Sequence, residues 1–208
     1  MEGTNPVNKK LVAALSGGAA LVLALTGCGG DDGDDSKKKV ESWAEKVCNG
    51  AQPQLKKIKD ANAAIQGAAD EPDSLKLQRT DSMAFQQISD AYRALGTLVK
   101  DVGAPPVDGG DKSQTDAVKE LNATSRAYAD LKKTVDELDT KNKSKFAEGL
   151  NGIAAQLDKL SKSGDGALKR LQEGKVGEAM AKQEGCKRVN TGASAPSVTT
   201  NEPAGESS

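Results

Sequence analysis

The sequence predicts an all-α fold: an antiparallel up-down helical bundle of four principal helices plus a short C-terminal helix, within residues 37–188 of a 208-residue chain. Three observations predict it. Apolar residues recur in steps of three and four through almost all of that span, the spacing that gathers them on one side of a helix. No segment sustains a period of two and β-branched residues are sparse, so no strand is predicted. Breakers divide the periodic stretch into pieces of helical length with short connections, which favours antiparallel neighbours.

The first helix is predicted over 37–70. Its stripe runs Val40, Trp43, Ala44, Val47, Ala51, Leu55, Ile58, Ala61, Ile65 and Ala68, with Ser36 as a candidate cap. Pro53 lies inside it and predicts a kink or a split there. The second helix, over 74–102, carries Leu77, Ala84, Phe85, Ile88, Ala91, Tyr92, Leu95, Leu98, Val99 and Val102, and stops at Gly103-Ala-Pro-Pro. The third, over 113–139, steps through Val118, Leu121, Ser125, Tyr128, Leu131, Val135 and Leu138. The fourth, over 142–172, carries Phe146, Leu150, Ile153, Leu157 and Leu160, is interrupted at Gly164-Asp-Gly166, and resumes at Leu168 and Leu171. A shorter helix with Val176, Ala179 and Met180 precedes Cys186. Opposite charges four apart, as in Lys37/Glu41, Asp158/Lys162 and Glu178/Lys182, mark solvated faces.

The ends of the chain read differently. Lys9 and Lys10 precede a nearly uncharged run, Leu11 to Gly27, so residues 1–27 are predicted to be a signal peptide. Leu25-Thr26-Gly27-Cys28 resembles the bacterial lipobox. That resemblance implies cleavage before Cys28 and diacylation of its sulfur, by palmitate-like chains. Two chains suffice for a stable anchor, since each buried methylene contributes roughly 0.8 kcal/mol. Residues 28–36, rich in Gly and Asp, are predicted to be a flexible acidic tether, and 189–208, Ser/Thr/Gly/Ala/Pro-rich, a disordered tail. Loss of residues 1–27 removes Glu2, Lys9 and Lys10 and leaves a net charge of −2, so lipid chains rather than charge would hold the protein at a membrane.

With Cys28 assigned to lipid, Cys48 and Cys186 remain. An exported protein meets an oxidising compartment, which predicts a disulfide between them. Cys48 lies near the start of the first helix and Cys186 at the end of the last, and an up-down bundle brings those two ends to one pole. Trp43 is placed to cover that pole.

Chemistry is harder to find. The chain has no histidine, which excludes Ser-His-Asp and Cys-His nucleophile systems and His-bearing metal sites. Ser36-Lys37-Lys38-Lys39 matches the SxxK pattern without its partner motifs, and Gly164-Asp-Gly166 follows no strand. Asp31, Asp32, Asp34 and Asp35 do not have the spacing of a calcium loop. Asn122-Ala-Thr124 and Asn142-Lys-Ser144 match glycan sequons, which carry little weight beside a bacterial lipobox. No pair of carboxylates falls on an apolar stripe, where burial would separate their pKa values. The net charge of −1 and the interspersed signs exclude a broad nucleic-acid-binding field. No catalytic residue, cofactor site or metal site is therefore predicted, and no enzyme activity.

The lipobox Leu25 to Cys28, the Gly/Asp tether, Val40-Glu-Ser-Trp43 followed by Cys48, and the late Cys186 together make the chain similar to the small, helical, Ala- and Lys-rich lipoproteins of actinobacteria, streptomycetes especially. The resemblance implies a lipid-anchored protein on the extracytoplasmic face of the cell membrane. Its expected partners are membrane lipid, through acylated Cys28, and an envelope protein or a small ligand. A non-enzymatic interaction module is the leading expectation, and a carrier with a cavity between its helices is the alternative. Gly29, not Asp, follows Cys28 and leaves outer-membrane sorting open.

Overall fold

A computed structural model describes residues 32–163 and 166–187. The predicted signal peptide (1–27), the lipobox-like run with Cys28 and all of the predicted tail (189–208) lie outside the described residues. The protein is all-α: seven helices and no strand among the described residues. They are α1 (Asp32–Gly67), α2 (Ser74–Val102), α3 (Gly110–Asp136), α4 (Lys143–Ser163), α5 (Gly166–Leu171), α6 (Gly174–Lys182) and α7 (Glu184–Lys187).

α1 begins five residues before the predicted start and takes in Asp32–Ser36, so that part of the predicted tether is helical and Ser36 is not its cap. The reason is electrostatic. Asp34 and Asp35 sit in the first turns, where the helix N-terminus carries partial positive charge that favours carboxylates. α1 then runs through Pro53 as one element rather than two. Proline removes one N–H from the ladder and crowds the carbonyl four residues back, and buried residues on both sides, Cys48 and Ile58, hold the helix to its neighbours.

Both ends of α2 are chemically marked. The Asp73 carboxylate accepts from the N–H groups of Leu75 (2.9 Å) and Lys76 (3.2 Å), which satisfies two of the donors a helix start leaves open. At the other end Gly103 has φ +88°, a conformation costly for any residue with a side chain. α3 starts earlier than predicted, at Gly110, behind Gly109 at φ +74°. The Asn142 side chain accepts from the Lys145 N–H at 3.1 Å and caps α4. The helix predicted over 142–172 is two, α4 and α5, and the short helix before Cys186 is also two, α6 and α7.

α2 packs along both α1 and α3. Gly50 of α1 meets Leu98 of α2, and Lys57 lies level with Gln86 and Asp90. Gln78 of α2 donates to the Val135 and Leu138 carbonyls (2.9 and 3.0 Å), Ser89 meets Ser125, and the Val99 carbonyl accepts from Gln114 at 3.0 Å. In both interfaces numbers fall along one helix as they rise along the other. One core joins Trp43, Val47, Ile58, Phe85, Ile88, Leu121, Leu131, Val135, Ile153 and Leu157 with Leu171, Val176 and Met180. α5 lies against α3, and α6 and α7 lie against α1, with contacts from Glu41 to Gln52.

Candidate functional site

The two cysteines predicted to pair are bonded: Cys48 and Cys186 form a disulfide with Cα atoms 5.1 Å apart, bridging 138 positions of sequence. Cys48 is wholly buried, and Cys186 is half-buried. Gly185 fits because a side chain there would press on the Cys48 backbone, 2.8 Å from its carbonyl carbon and oxygen. The Met180 carbonyl oxygen lies 3.9 Å from Cys48 Sγ; this is a packing contact, since a disulfide sulfur has no proton to donate. Trp43 is 5 % exposed at the same end, and its Nε1–H donates to the Gly103 carbonyl at 2.8 Å, tying α1 to the end of α2. Glu41 and Lys182, each assigned an in-helix partner from sequence, instead meet each other across α1 and α6 at 3.3 Å.

Two polar features stitch α2 to α3. Ser89 Oγ–H donates to the Ser125 carbonyl and Ser125 Oγ–H to the Ser89 carbonyl, both at 2.8 Å and both buried. Nearer the start of α2, Ser82 Oγ–H donates to Asp136 Oδ1 at 2.5 Å, and Lys132 Nζ to Asp136 Oδ2 at 2.5 Å. The Lys132 bond first, and the Ser82 bond second, hold the Asp136 carboxyl below the usual carboxylate range. Between these levels Tyr128 stacks on Tyr92 (centroids 5.7 Å) and meets Phe85 at a tilt (6.1 Å). Burial first, and Tyr92 second, push the Tyr128 phenol above its usual range. Phe85, Tyr128 and Phe146 are buried, as their spacing predicted, and Tyr92 packs half-buried against the core.

Asp81 was not anticipated. It is 7 % exposed, and its Oδ1 is enclosed without a hydrogen-bond partner. Burial pushes its carboxyl up to about 6. The signal was present: Leu77, Asp81, Ala84, Phe85 and Ile88 share one stripe, with the acid standing where an apolar residue is due. Sequence reasoning searched for pairs of acids and passed over a single one.

The outer face of α2 holds a groove of about 540 Å³, with Lys57 of α1 and Lys132 of α3 on its sides and Ser82, Met83, Gln86 and Asp90 in its floor. Met83 is 67 % exposed there. The groove is bordered by charged and polar residues around Met83, its surface is largely aliphatic carbon, and it lies outside the core. Ser36 and Lys39 of the SxxK match are exposed on the first turns of α1. Asn122 is half-buried against Gly96. Among the described residues no three His, Cys, Asp or Glu side chains gather into a metal-binding group, and no helix is long and apolar enough to cross a membrane. Compared with known proteins, the chain matches no family model, no curated protein and no solved structure.

Proposed function

We propose that the protein is a bacterial lipoprotein, anchored through acylated Cys28 on the extracytoplasmic face of the cell membrane, whose helical body serves as a non-enzymatic interaction module at the envelope. The observation that carries this reading is the lipobox Leu25-Thr26-Gly27-Cys28 at the end of an uncharged run behind two lysines. The Cys48–Cys186 bond supports it, because such bonds persist where the compartment is oxidising. So does the body itself, whose apolar stripes meet in one core while the groove beside Met83 lies outside it.

In the same reading the four long helices form an antiparallel up-down bundle. The registers of α1 with α2 and of α2 with α3 support this arrangement, as does the disulfide that joins Cys48, about four and a half turns into α1, to the last helix, α7. The body then begins only four residues beyond the lipid-bearing cysteine, at Asp32. Four residues reach at most about 14 Å, so the pole with the disulfide is the one held near the membrane.

Mass spectrometry of the membrane fraction tests the anchor. A mature N-terminus at Cys28 carrying two or three acyl chains is expected, with Cys28→Ala appearing in the soluble fraction or accumulating unprocessed. Mature wild-type protein that retains residues 1–27 would overturn the reading.

A further inference from the structure

The exposed side of α2 carries a charge pattern that complements itself. Lys76, Arg79, Met83, Gln87 and Asp90 are all exposed and step by three and four, so they form one stripe along the helix. The bases stand before Met83 and the acid after it. Lys76 and Asp90 lie at equal distances from Met83 along the helix, on either side of it. Asp90 is held by Gln86 (3.0 Å) and Arg93 of its own helix, yet its side chain stays half-exposed. Lys76 and Arg79 pair with no acid among the described residues.

Small residues flank Met83 on both neighbouring helices. Ala64 of α1 is exposed and lies two turns past Lys57, on the side that borders the groove. Ala129 of α3 is exposed and lies one turn before Lys132, on the opposite border. The Gly50–Leu98 and Ser89–Ser125 contacts bring Ala64 and Ala129 to within one turn of the level of Met83.

Consider a second copy related by a two-fold axis across α2 at Met83, its α2 antiparallel to the first. Each residue beyond Met83 then meets the one equally far before it on the other copy. Asp90 of each copy meets Lys76 of the other, and Arg79 meets the uncharged Gln87. On α3 the axis passes at the level of Leu131, and it sets exposed Arg126 opposite exposed Asp136. Lys132 stands nearest the axis, and its charge is already met by its own Asp136 at 2.5 Å. A parallel pairing would set Lys76 on Lys76 and Asp90 on Asp90, so the charges select the antiparallel one.

We propose that this face is a self-association surface: a second copy of the chain docks antiparallel on α2, with Met83 against Met83 at the centre and a Lys76–Asp90 pair on each side. The contact is weak, because exposed ion pairs contribute little each. It does not rest on the lipid anchor and is compatible with it. α1 and α3 flank α2, so an axis across α2 leaves both copies' α1 on one side, where one membrane can hold both.

Lys76 and Asp90 of one chain are about 21 Å apart along one helix, too far for a zero-length link within the chain. The full chain in detergent, half of it labelled with nitrogen-15, is therefore treated with a carbodiimide at about 1 mM protein, where a weak contact is populated. Mass spectrometry is expected to find Lys76 joined to Asp90 between a labelled and an unlabelled chain. Sedimentation equilibrium is expected to show a dimer whose Kd rises on the order of tenfold in Lys76→Glu and in Asp90→Lys, each of which turns both pairs into repulsions. An equal mixture of the two variants restores both pairs and should return to within about twofold of the wild type. Circular dichroism checks that the variants, both at exposed positions, are folded. A wild-type chain that stays monomeric at that concentration, variants that associate as the wild type does, or a mixture no tighter than its components would overturn the proposal. So would a Met83 that is shielded from hydroxyl radicals in membranes equally in the wild type and both variants, an outcome that assigns the face to a different occupant.

Discussion

Reducing the Cys48–Cys186 bond should lower stability substantially and leave the helices standing. The bond closes a loop spanning 138 positions. Constraining a loop of that length in the unfolded chain stabilises by at most about 5 kcal/mol in the chain-entropy account, with measured effects often nearer 2–4 kcal/mol. For a body of this size roughly 3 kcal/mol corresponds to about 10 °C in Tm. The helices should survive because the contacts between α1, α2 and α3 include a wide apolar surface that the bond does not touch: Ile58, Phe85, Ile88, Leu121, Leu131 and Val135 are all buried away from it. α6 also keeps Val176, Ala179 and Met180 buried when the bond is cut. The reductant can reach the bond from the Cys186 side, which is half-exposed. Far-ultraviolet circular dichroism with and without a phosphine reductant measures both quantities. Loss of the helical spectrum at 25 °C on reduction would show that the stripes are too weak to hold the fold. An unchanged Tm would show that α6 and α7 are seated without help from the bond.

Trp43→Phe should lower stability by about 1–3 kcal/mol in chemical denaturation, because it removes the indole N–H donated to the Gly103 carbonyl and part of a ring that is 5 % exposed. Gly185→Ala should cost a similar ~1–3 kcal/mol, since its Cβ would lie 2.8 Å from Cys48 backbone atoms that the disulfide holds in place. Gly67→Ala, whose Cβ would meet nothing within 4 Å, is the control and should be neutral or stabilising by up to ~1 kcal/mol. If Gly185→Ala melts with the wild type, the close approach of α7 to α1 is not what fixes that end.

The sequence announces elements whose ends are chemically marked. α2 was predicted over 74–102 and runs Ser74–Val102, because Asp73 and Gly103 act locally, through a carboxylate on backbone N–H groups and a positive φ. The start of α1 was less legible. Asp32–Asp35 reads as a repelling, solvated run until a helix behind it supplies the partial charge that favours carboxylates. The Cys48–Cys186 pairing followed from counting cysteines and from the pole each would occupy. Ala117 was passed over for Val118 in the third stripe, although Ala117 is the fully buried one of the two. The reason is that close helix contact selects small residues, while periodicity searches favour large ones. Asp81 and the reciprocal Ser89–Ser125 bonds needed the partner helices: a stripe shows which face is buried but not which polar atoms on it find a mate.

The disulfide also sets how the chain bears load. Tension applied between Asp32 and Lys187 enters α1, reaches Cys48 after four turns and a half, and passes through one covalent bond to Cys186. The bundle between those cysteines is shunted out of the force path. While the bond is intact, pulling on the two ends peels only the first turns of α1. Once it is reduced, the 138 positions it bridges can pay out about 480 Å of extended chain. A body tied by one end and tugged by the other is thus stiff or extensible according to the state of a single pair of sulfur atoms.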